Sequence, residues 1–268
     1  MRRTLSAALV CLALFTSGCA AKGAGGSDAG PAAAAPSVSA VATTEADHAA
    51  VVRKAVEGVT TARTAYRWEV GQAGGKVYAV TGKGSHDFAR RQGALVVSLE
   101  EVARFEQVFT PERLYIRGSA GAESVGWTFV DRAGVKGQRL LKTPGNDPEF
   151  LLRQVVMAEG YQRVAVDDVD GVSAALYRGM LPHAALTLDM ADAARKQVDQ
   201  MRDMLGAPIP VTADAWIDER GRLVRVRLEM DLQGSVRSTT ELTLTGLGEP
   251  VKVKVPAGAV EGSASSLV

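Results

Sequence analysis

The side chains that most often carry catalysis or bind metal ions are scattered along this chain. Its three histidines, His48, His86 and His183, stand far apart, and none has a cysteine or glutamate at the spacing of a zinc ligand set. No serine lies in a Gly-x-Ser-x-Gly motif, the sharp turn that exposes a hydrolase nucleophile. The pattern therefore predicts neither an enzyme nor a bound cofactor or metal ion.

An acidic cluster offers one alternative. Asp167, Asp168 and Asp170 precede Gly171, and carboxylates this close together could bind a calcium ion weakly. The segment lacks the longer loop and the distal glutamate of a calcium-binding hand. A solvated turn is therefore the favoured interpretation.

A cysteine near the N-terminus is the remaining candidate for chemistry. The chain begins with Arg2 and Arg3 and continues with an apolar run at residues 5–15, which is the order of a secretory signal peptide. Small residues then lead directly into Cys19, a pattern that resembles the bacterial lipobox. That resemblance implies that Cys19 is diacylated and that residues 1–18 are a signal peptide removed before it. The alternative is an ordinary cleavage site at the same small residues.

Cysteine usage agrees with a lipid attachment site. Of the two cysteines, Cys11 lies in the apolar run, so Cys19 would be the only thiol of the mature chain. An exported protein with one thiol can form no internal disulfide, so its domain must be stabilised by a hydrophobic core. Acylation explains a cysteine at that position.

Composition and charge limit where the protein acts. Lysine and arginine number 31 against 30 aspartates and glutamates, which leaves no excess of basic residues typical of nucleic-acid binding. The apolar run of roughly 11 residues is shorter than the roughly 20 needed to cross a bilayer. We expect an exported protein that is held by Cys19 at the outer face of the plasma membrane.

The rest of the chain divides into a tether, one domain and a tail. Residues 19–43 are mostly alanine, glycine, serine and proline, which are too poor in large apolar side chains to fold, and they predict a flexible tether. Residues 44–258 are within the size range of one domain. Residues 259–268 are predicted to be a loose tail.

Three helices are predicted within the domain. The first begins at Thr44, where Asp47 can complete a capping box. The second follows Asp147 and Pro148, which are typical of a helix N-terminus. The third covers residues 189–205.

Apolar and polar residues alternate through most of the remaining domain, which is the pattern of half-buried β-strands. The clearest example is residues 224–232, where apolar side chains alternate with charged ones such as Arg225 and Arg227, and residues 251–255 predict a last strand. About ten to eleven strands, mostly antiparallel, are expected, and a sheet of that size must close or curl around a filling. The predicted fold class is α+β: a large curved antiparallel β-sheet, a half-barrel, with about three helices on its concave side.

A set of short segments, taken in order along the chain, forms a pattern. They are the lipobox cysteine, EQVFTP at residues 106–111 leading into LYIRG at 114–118, LYRG at 176–179, LG at 205–206 before IPV at 209–211, AWIDERGRL at 215–223 and GEPV at 248–251. The ordered set resembles the actinobacterial LppX and LprG lipoproteins and, more distantly, the LolA and LolB carriers of lipoproteins.

The resemblance implies a U-shaped half-barrel with helices on the concave side and an apolar cavity between them. It also implies a role in moving acylated lipids or glycolipids out from the plasma membrane. The candidate cavity residues are Trp68, Phe105, Phe109, Met190, Met201, Leu205, Val226, Leu228 and Met230. Ordinary packing in a solid core is the alternative for these methionines and for Trp68.

Two functions therefore stay open. In the first, the protein carries an apolar ligand, an acylated lipid or glycolipid, with an envelope transporter or another envelope protein as a candidate partner. In the second, the same fold has a solid core and is a non-catalytic interaction or regulatory module of the envelope. A continuous apolar cavity of several hundred cubic ångströms would favour the first. In either case we expect a monomer.

Overall fold

The structure, a computed structural model, describes residues 44–263 except residues 73–74, 101, 122 and 233–234. Cys19, the predicted signal peptide at residues 1–18 and the predicted tether at residues 19–43 lie outside the described residues. None of the described helices is both long enough and apolar enough to cross a membrane.

The three predicted helices form, and one short helix is added. They are α1 (Glu45–Glu57), α2 (Pro148–Met157), α3 (His183–Leu186) and α4 (Asp192–Leu205). The side chains of Thr44 and Asp47 form the reciprocal capping box at the start of α1. The Asp147 carboxylate accepts a hydrogen bond from the backbone of Glu149 at the start of α2. The short helix α3 was not predicted.

The last helix begins later than its apolar spacing suggested. We expected a start at residue 189, whereas α4 starts at Asp192 with Ala191 as its N-cap. Asp189 has a φ of 46°, and Met190 forms an isolated β-bridge with Gly137. Because a left-handed residue cannot continue a right-handed helix, the helix starts only after this bridge.

The strands form one sheet across the described residues. They are β1 (Thr61–Gly71), β2 (Val77–Asp87), β3 (Gln92–Leu99), β4 (Ala103–Phe109), β5 (Arg113–Ala120), β6 (Glu123–Asp131), β7 (Glu159–Val169), β8 (Val172–Met180), β9 (Val211–Asp218), β10 (Leu223–Asp231), β11 (Arg237–Thr245) and β12 (Val260–Glu261). Their order is β12-β6-β5-β4-β3-β2-β1-β11-β10-β9-β8-β7. Every neighbouring pair is antiparallel except β12 and β6. The predicted α+β half-barrel is confirmed, with 12 strands instead of ten or eleven.

The C-terminal segment differs from the expectation. Residues 251–255 alternate valine with lysine but form no strand, because the chain must here pass from β11 to the far side of β6. The strand forms later, at Val260–Glu261 in β12, and Gly262 donates a hydrogen bond to the carbonyl of Phe129. The segment expected to be a loose tail from residue 259 is therefore paired with the sheet at its start.

One face of the sheet, called the inner face below, is covered by helices and holds the main core. Val52 and Ala55 of α1 and Leu151 and Val155 of α2 are at most 3% exposed. They share one apolar cluster with inner-face residues of the sheet, among them Tyr66, Leu95, Leu114, Val226, Leu228 and Leu242. Burying each large side chain contributes about 1.5–3 kcal/mol to folding, so this cluster holds the helices on the sheet.

The opposite, outer face carries a smaller apolar cluster and a buried charge. The cluster consists of Val169, Ala174, Leu176, Trp216 and Val224. Beside it, the Asp214 carboxylate is 1% exposed and accepts hydrogen bonds from Arg178 and Arg227 at 2.7–2.9 Å. The charged side of β10 was expected simply to face water, but Arg227 neutralises a buried carboxylate there.

Candidate functional site

The inner face of β1–β6 changes from buried to exposed along the strands. At the end near the start of α2, the inner-face residues Ala62, His86, Leu95, Phe109, Leu114 and Val130 are 0–4% exposed. Farther along, toward the turns that join β1 to β2, β3 to β4 and β5 to β6, Val80 and Val97 are still 6% and 3% exposed. The six strands also carry apolar inner-face side chains in this part of the sheet that are half-buried or exposed. They are Val70, Tyr78, Leu99, Phe105, Ile116 and Val125, one from each strand, and are called the apolar shelf below.

The strand register places these side chains on one face. Val70 lies opposite Tyr78 in the β1–β2 pair, and Gly118 of β5 lies opposite Phe105 on one side and Val125 on the other. Residues opposite each other in antiparallel strands point to the same face. Tyr78 and Val125 are 51% and 53% exposed. An apolar surface that extends over adjacent strands and stays accessible to water is typical of a binding site.

A glycine lets one ring lie flat across the shelf. A Cβ atom at Gly118 would come within 2.3 Å of the Arg104 carbonyl oxygen and 2.5 Å of the Phe105 ring. Only a residue without a side chain therefore fits beside this ring. The ring of Phe105 can then cover the backbone of β5 and extend the apolar surface.

The segment between β6 and α2 forms one border of the shelf. Leu141 is 4% exposed, and its carbonyl accepts a hydrogen bond from the hydroxyl of Thr240 on the inner face of β11. The next residue, Lys142, places its ammonium nitrogen 5.7 Å from the ring centre of Trp68. Because Trp68 and Val70 are successive inner-face residues of β1, Lys142 lies at the boundary between the filled core and the shelf.

Six of the nine predicted cavity residues lie in the filled core. Trp68, Phe109, Met190, Val226, Leu228 and Met230 are 0–7% exposed and belong to the main apolar cluster. The sequence pattern placed their side chains inward. There they share the cluster with residues of α1 and α2, which fill the space beside them.

The other three predicted residues lie outside the filled core or at its margin. Phe105 is half-buried on the shelf, and Met201 is half-buried at the margin of the main cluster. Leu205 is the last residue of α4 and is 47% exposed, so it lies outside the filled core. The apolar spacing of α4 continues beyond Val198, but the last turn of the helix extends past the core.

Apart from the shelf, a cluster of charged side chains lies at the start of α2, beside a cavity of about 310 Å³. The Arg132 side chain is 5% exposed, and its Nη2 atom is 2.7 Å from the Asp147 carboxylate and 3.0 Å from that of Glu149. This nitrogen is not aligned for a hydrogen bond to either oxygen, so its contribution is coulombic. The Nε atom does donate to Asp147, and Nη1 donates to the carbonyls of Arg91 and Thr110.

The charge of Arg132 influences the pKa values of both carboxyls, those of Asp147 and Glu149. Burial raises the pKa of Glu149, but the hydrogen bond from His86 and the charge of Arg132 outweigh burial and lower that pKa to about 2. Burial raises the pKa of Asp147 above its ordinary value, and the charge of Arg132 opposes that shift. The charges are paired within the cluster, which joins α2 to the ends of the strands, and we interpret it as a structural feature.

The histidines and the acidic turn have separate partners. The Nδ1 atom of His48 is 3.3 Å from the Tyr161 carbonyl, and the Nε2 atom of His183 is 2.7 Å from the Asp199 carboxylate. In the turn, Asp168 accepts a hydrogen bond from Gly171, Asp167 from the Trp216 indole and Asp170 from Arg225. The three aspartates of the turn thus satisfy three different donors.

No protein-family model and no curated protein sequence matches this chain. Among solved structures it is similar to the lipoprotein LppX of Mycobacterium tuberculosis, at 17% identity and a TM-score of 0.49 over 79% of this chain and 100% of that one. LprF of Mycobacterium bovis gives 15% identity and a TM-score of 0.48 over 81% of this chain and 100% of that one. The complex of MucA and MucB of Pseudomonas aeruginosa gives 13% identity and a TM-score of 0.35 over 83% of this chain and 60% of that one.

LppX is one of the lipoproteins that the ordered set of sequence segments resembles. At such values the similarity concerns the fold alone. The candidate site therefore depends on the residues of this chain.

The shelf residues other than Phe105 were not predicted from the sequence. Val70, Leu99 and Val125 follow the polar residues Glu69, Ser98 and Ser124, as many buried strand residues do, whereas Tyr78 lies between Val77 and Ala79 and Ile116 follows Tyr115. Alternation identifies the face of a strand but gives no information on whether a helix covers that position. Closeness to a predicted turn was the available signal for Val70, Tyr78, Leu99 and Val125, and it does not identify Ile116, which lies within β5.

Proposed function

We propose that the protein is a non-catalytic envelope lipoprotein that binds or carries an acylated lipid or glycolipid through the apolar shelf. The shelf itself carries this proposal: six adjacent strands each leave an apolar side chain accessible on the face that elsewhere forms the core. Apolar surface in water costs roughly 25 cal/mol per Å². An acyl chain that lies on the shelf removes that surface from water.

The filled core beside the shelf supports the same function. Trp68 and Leu95 are 5% and 3% exposed and lie on the inner face of the strands that carry Val70 and Leu99. A side chain fixed by dense packing loses little conformational entropy when a ligand binds. Val70, Leu99 and Ile116 of the shelf pack against this core, so half of the shelf is preorganised and accessible without displacement of a helix.

The proposed anchor would bring the shelf to its ligand. With lipid attached at Cys19 and residues 19–43 as a flexible tether, the mean reach of the tether would be roughly 25–30 Å, so the domain could rest beside the bilayer or move somewhat away from it. The predicted location is the outer face of the plasma membrane. A monomer there could exchange a lipid with the membrane or with an envelope transporter.

Removal of one shelf ring tests the site. The full chain carrying Cys19→Ala, so that no acyl group of its own competes, is titrated with a neutral fluorescent apolar probe, N-phenyl-1-naphthylamine. We expect Phe105→Ser to weaken probe binding about tenfold, because a half-buried phenyl ring contributes on the order of 1.4 kcal/mol of apolar contact.

Phe129 provides the matched control for that variant. It lies on the outer face of β6, opposite Tyr115, and the Arg113 guanidinium lies 4.2 Å from its ring centre. Phe129→Ser removes the same ring from the other side of the sheet, so probe affinity should stay within twofold. Equal weakening by both variants would refute the shelf as the binding site, and no probe uptake by the parent protein would refute lipid binding.

Membrane attachment is tested at the predicted lipid site. Cys19→Ala is expected to move nearly all of the protein from the membrane fraction to the medium, because no other part of the mature chain is predicted to anchor it. Cys11→Ala, a change within the predicted signal peptide, is the control and should leave the protein on the membrane. Immunoblots of the two fractions measure the distribution. Membrane retention of Cys19→Ala would rule out attachment through this cysteine.

The filled half of the sheet favours the interaction module as a second candidate. Six residues that were expected to line a cavity are packed in the main cluster, which is the arrangement expected of a solid core. The probe titration distinguishes the two functions, because a module without an apolar site binds no probe. In that case the shelf would be a surface for an envelope protein.

A further inference from the structure

We infer that the shelf selects acyl ligands with an anionic head group, a carboxylate or a phosphate ester, and that Lys142 binds that group. This inference rests on the proposed function and adds the chemistry of the polar end of the ligand. It is carried by two polar groups at the boundary of the shelf that lack partners in the described part of the chain.

The first of these groups is the ammonium of Lys142. Within residues 44–263, apart from their gaps, no carboxylate pairs with it, and its contact is with the ring of Trp68 at 5.7 Å. By contrast, Lys76 near the other side of the shelf is 3.8 Å from the Glu100 carboxylate. Lys142 is half-buried, and an ammonium that loses water without gaining an anion is destabilised.

The surroundings of Lys142 increase this imbalance. Burial, and next the charge of Arg139, lower the pKa of Lys142 below its ordinary value. The charge of Arg139 therefore acts on an ammonium that has no carboxylate partner among the described residues. An anion that arrives with a ligand would remove the imbalance and would form a charge-assisted hydrogen bond.

The second group is the indole N–H of Trp68. The residue is 5% exposed, and its Nε1 atom finds no acceptor among the residues that the structure describes. The indole of Trp216, also 5% exposed, donates to the Asp167 carboxylate at 2.8 Å. Buried indole N–H groups usually have such a partner, so the Trp68 N–H is an unsatisfied donor to which a ligand oxygen atom could bind.

The two donors lie together where the apolar surface begins. The Lys142 ammonium is 5.7 Å from the ring centre of Trp68, whose indole is the second donor. Trp68 is followed on the inner face of β1 by Val70 of the shelf. A ligand whose acyl chain lies on the shelf therefore brings its head group to both donors, and an acidic group offers each of them an oxygen.

The experiment compares ligands that differ only at the head group. On the full chain carrying Cys19→Ala, palmitate, hexadecyl phosphate and methyl palmitate each displace the neutral probe N-phenyl-1-naphthylamine at pH 7. We expect the two anions to displace it at concentrations about tenfold lower than the neutral ester. Preference for only one of the anions identifies carboxylate or phosphate as the natural group.

Three variants assign the preference to Lys142. Lys142→Met keeps the length of the side chain and should abolish the preference for the anions, with unchanged affinity for probe and ester. Lys142→Arg should retain the preference, and Lys83→Met on the outer face, which changes the net charge equally, should also retain it.

The possible failures are distinguishable. Equal displacement by anions and ester, or a preference that survives in Lys142→Met, would overturn this inference and leave lipid binding intact. If no ligand or probe bound at all, the proposed function would fall together with the inference.

Discussion

Arg132→Met is expected to lower the free energy of unfolding by about 3–5 kcal/mol, because removal of one partner of a buried ion pair leaves the other charge uncompensated. The Arg132 side chain is 5% exposed and lies within 3.0 Å of the carboxylates of Asp147 and Glu149. It also donates to the carbonyls of Arg91 and Thr110. Methionine fills the space but neutralises neither carboxylate and satisfies neither carbonyl. Chemical denaturation at pH 7 measures the loss.

Arg153→Met is the matched control for this variant. Its ion pair with Asp189 has the same chemistry at 2.9 Å, but the two side chains are 54% and 37% exposed. Because water screens such a pair, its loss should cost no more than about 1 kcal/mol. Losses of similar size in the two variants would show that the cluster at the start of α2 is not a buried electrostatic support.

The loss of stability in Arg132→Met is expected to depend on pH. In the parent protein the pKa of Glu149 is lowered to about 2, so its ionised form stabilises the fold fully above an ordinary pKa of about 4.3. That contribution is lost only as the pH falls through about 2. Without Arg132 the carboxyls can be buried as neutral acids at pH 4 and not at pH 7. The difference in stability between parent and Arg132→Met should therefore be smaller at pH 4 than at pH 7.

The sequence predicted elements and faces because both depend on neighbours along the chain. The capping box of Thr44 and Asp47 and the Asp147 cap mark helix starts by contacts within four residues. Alternation in β10 placed Val226 and Leu228 on the inner face by the geometry of a single strand. The strand that was expected at residues 251–255 failed for the opposite reason. Its alternation is present, but among the described residues the segment pairs with no strand, and pairing begins only at Val260 beside β6.

The candidate site depends on contacts between distant segments, which no local pattern contains. Val70 and Trp68 have the same inward spacing on β1, yet one is half-buried and the other is 5% exposed. The two positions differ because the segment around Leu141 and the helices cover some inner-face positions and leave others open. Lys142 lies 74 residues after Trp68 in the sequence, and only the folded chain brings its ammonium to that ring.

The role of Arg227 illustrates the same limit for charges. From the sequence it is one of two cations, with Arg225, that alternate with apolar residues along β10 and should face water. In the structure it donates to Asp214, whose side chain is 1% exposed, at 2.7 Å. Alternation cannot distinguish a solvated charge from one that neutralises a buried partner on the next strand. For that reason Arg227 is unsuitable as a neutral reference for the stability of this hairpin.

Leu228→Ala is expected to lower the free energy of unfolding by about 2–5 kcal/mol, the range for removing a leucine side chain from a packed core. Leu228 is 0% exposed on the inner face of β10, between Ala213 of β9 and Thr240 of β11. Both strand neighbours are small, so neither can extend into the space that the leucine leaves. The cavity should therefore persist, which places the loss toward the upper part of the range.

The control for that loss is a polar residue on the outer face. Lys83 of β2 is exposed there, and Lys83→Gln should change the free energy of unfolding by no more than about 0.5 kcal/mol. Denaturant titration of both variants, with the slope unchanged, measures the two losses. The side-chain period of a strand is two residues, so a register error of one residue would exchange inner and outer faces. A loss below about 1 kcal/mol for Leu228→Ala, or a larger loss for Lys83→Gln, would therefore contradict the face assignment on which both the core and the shelf depend.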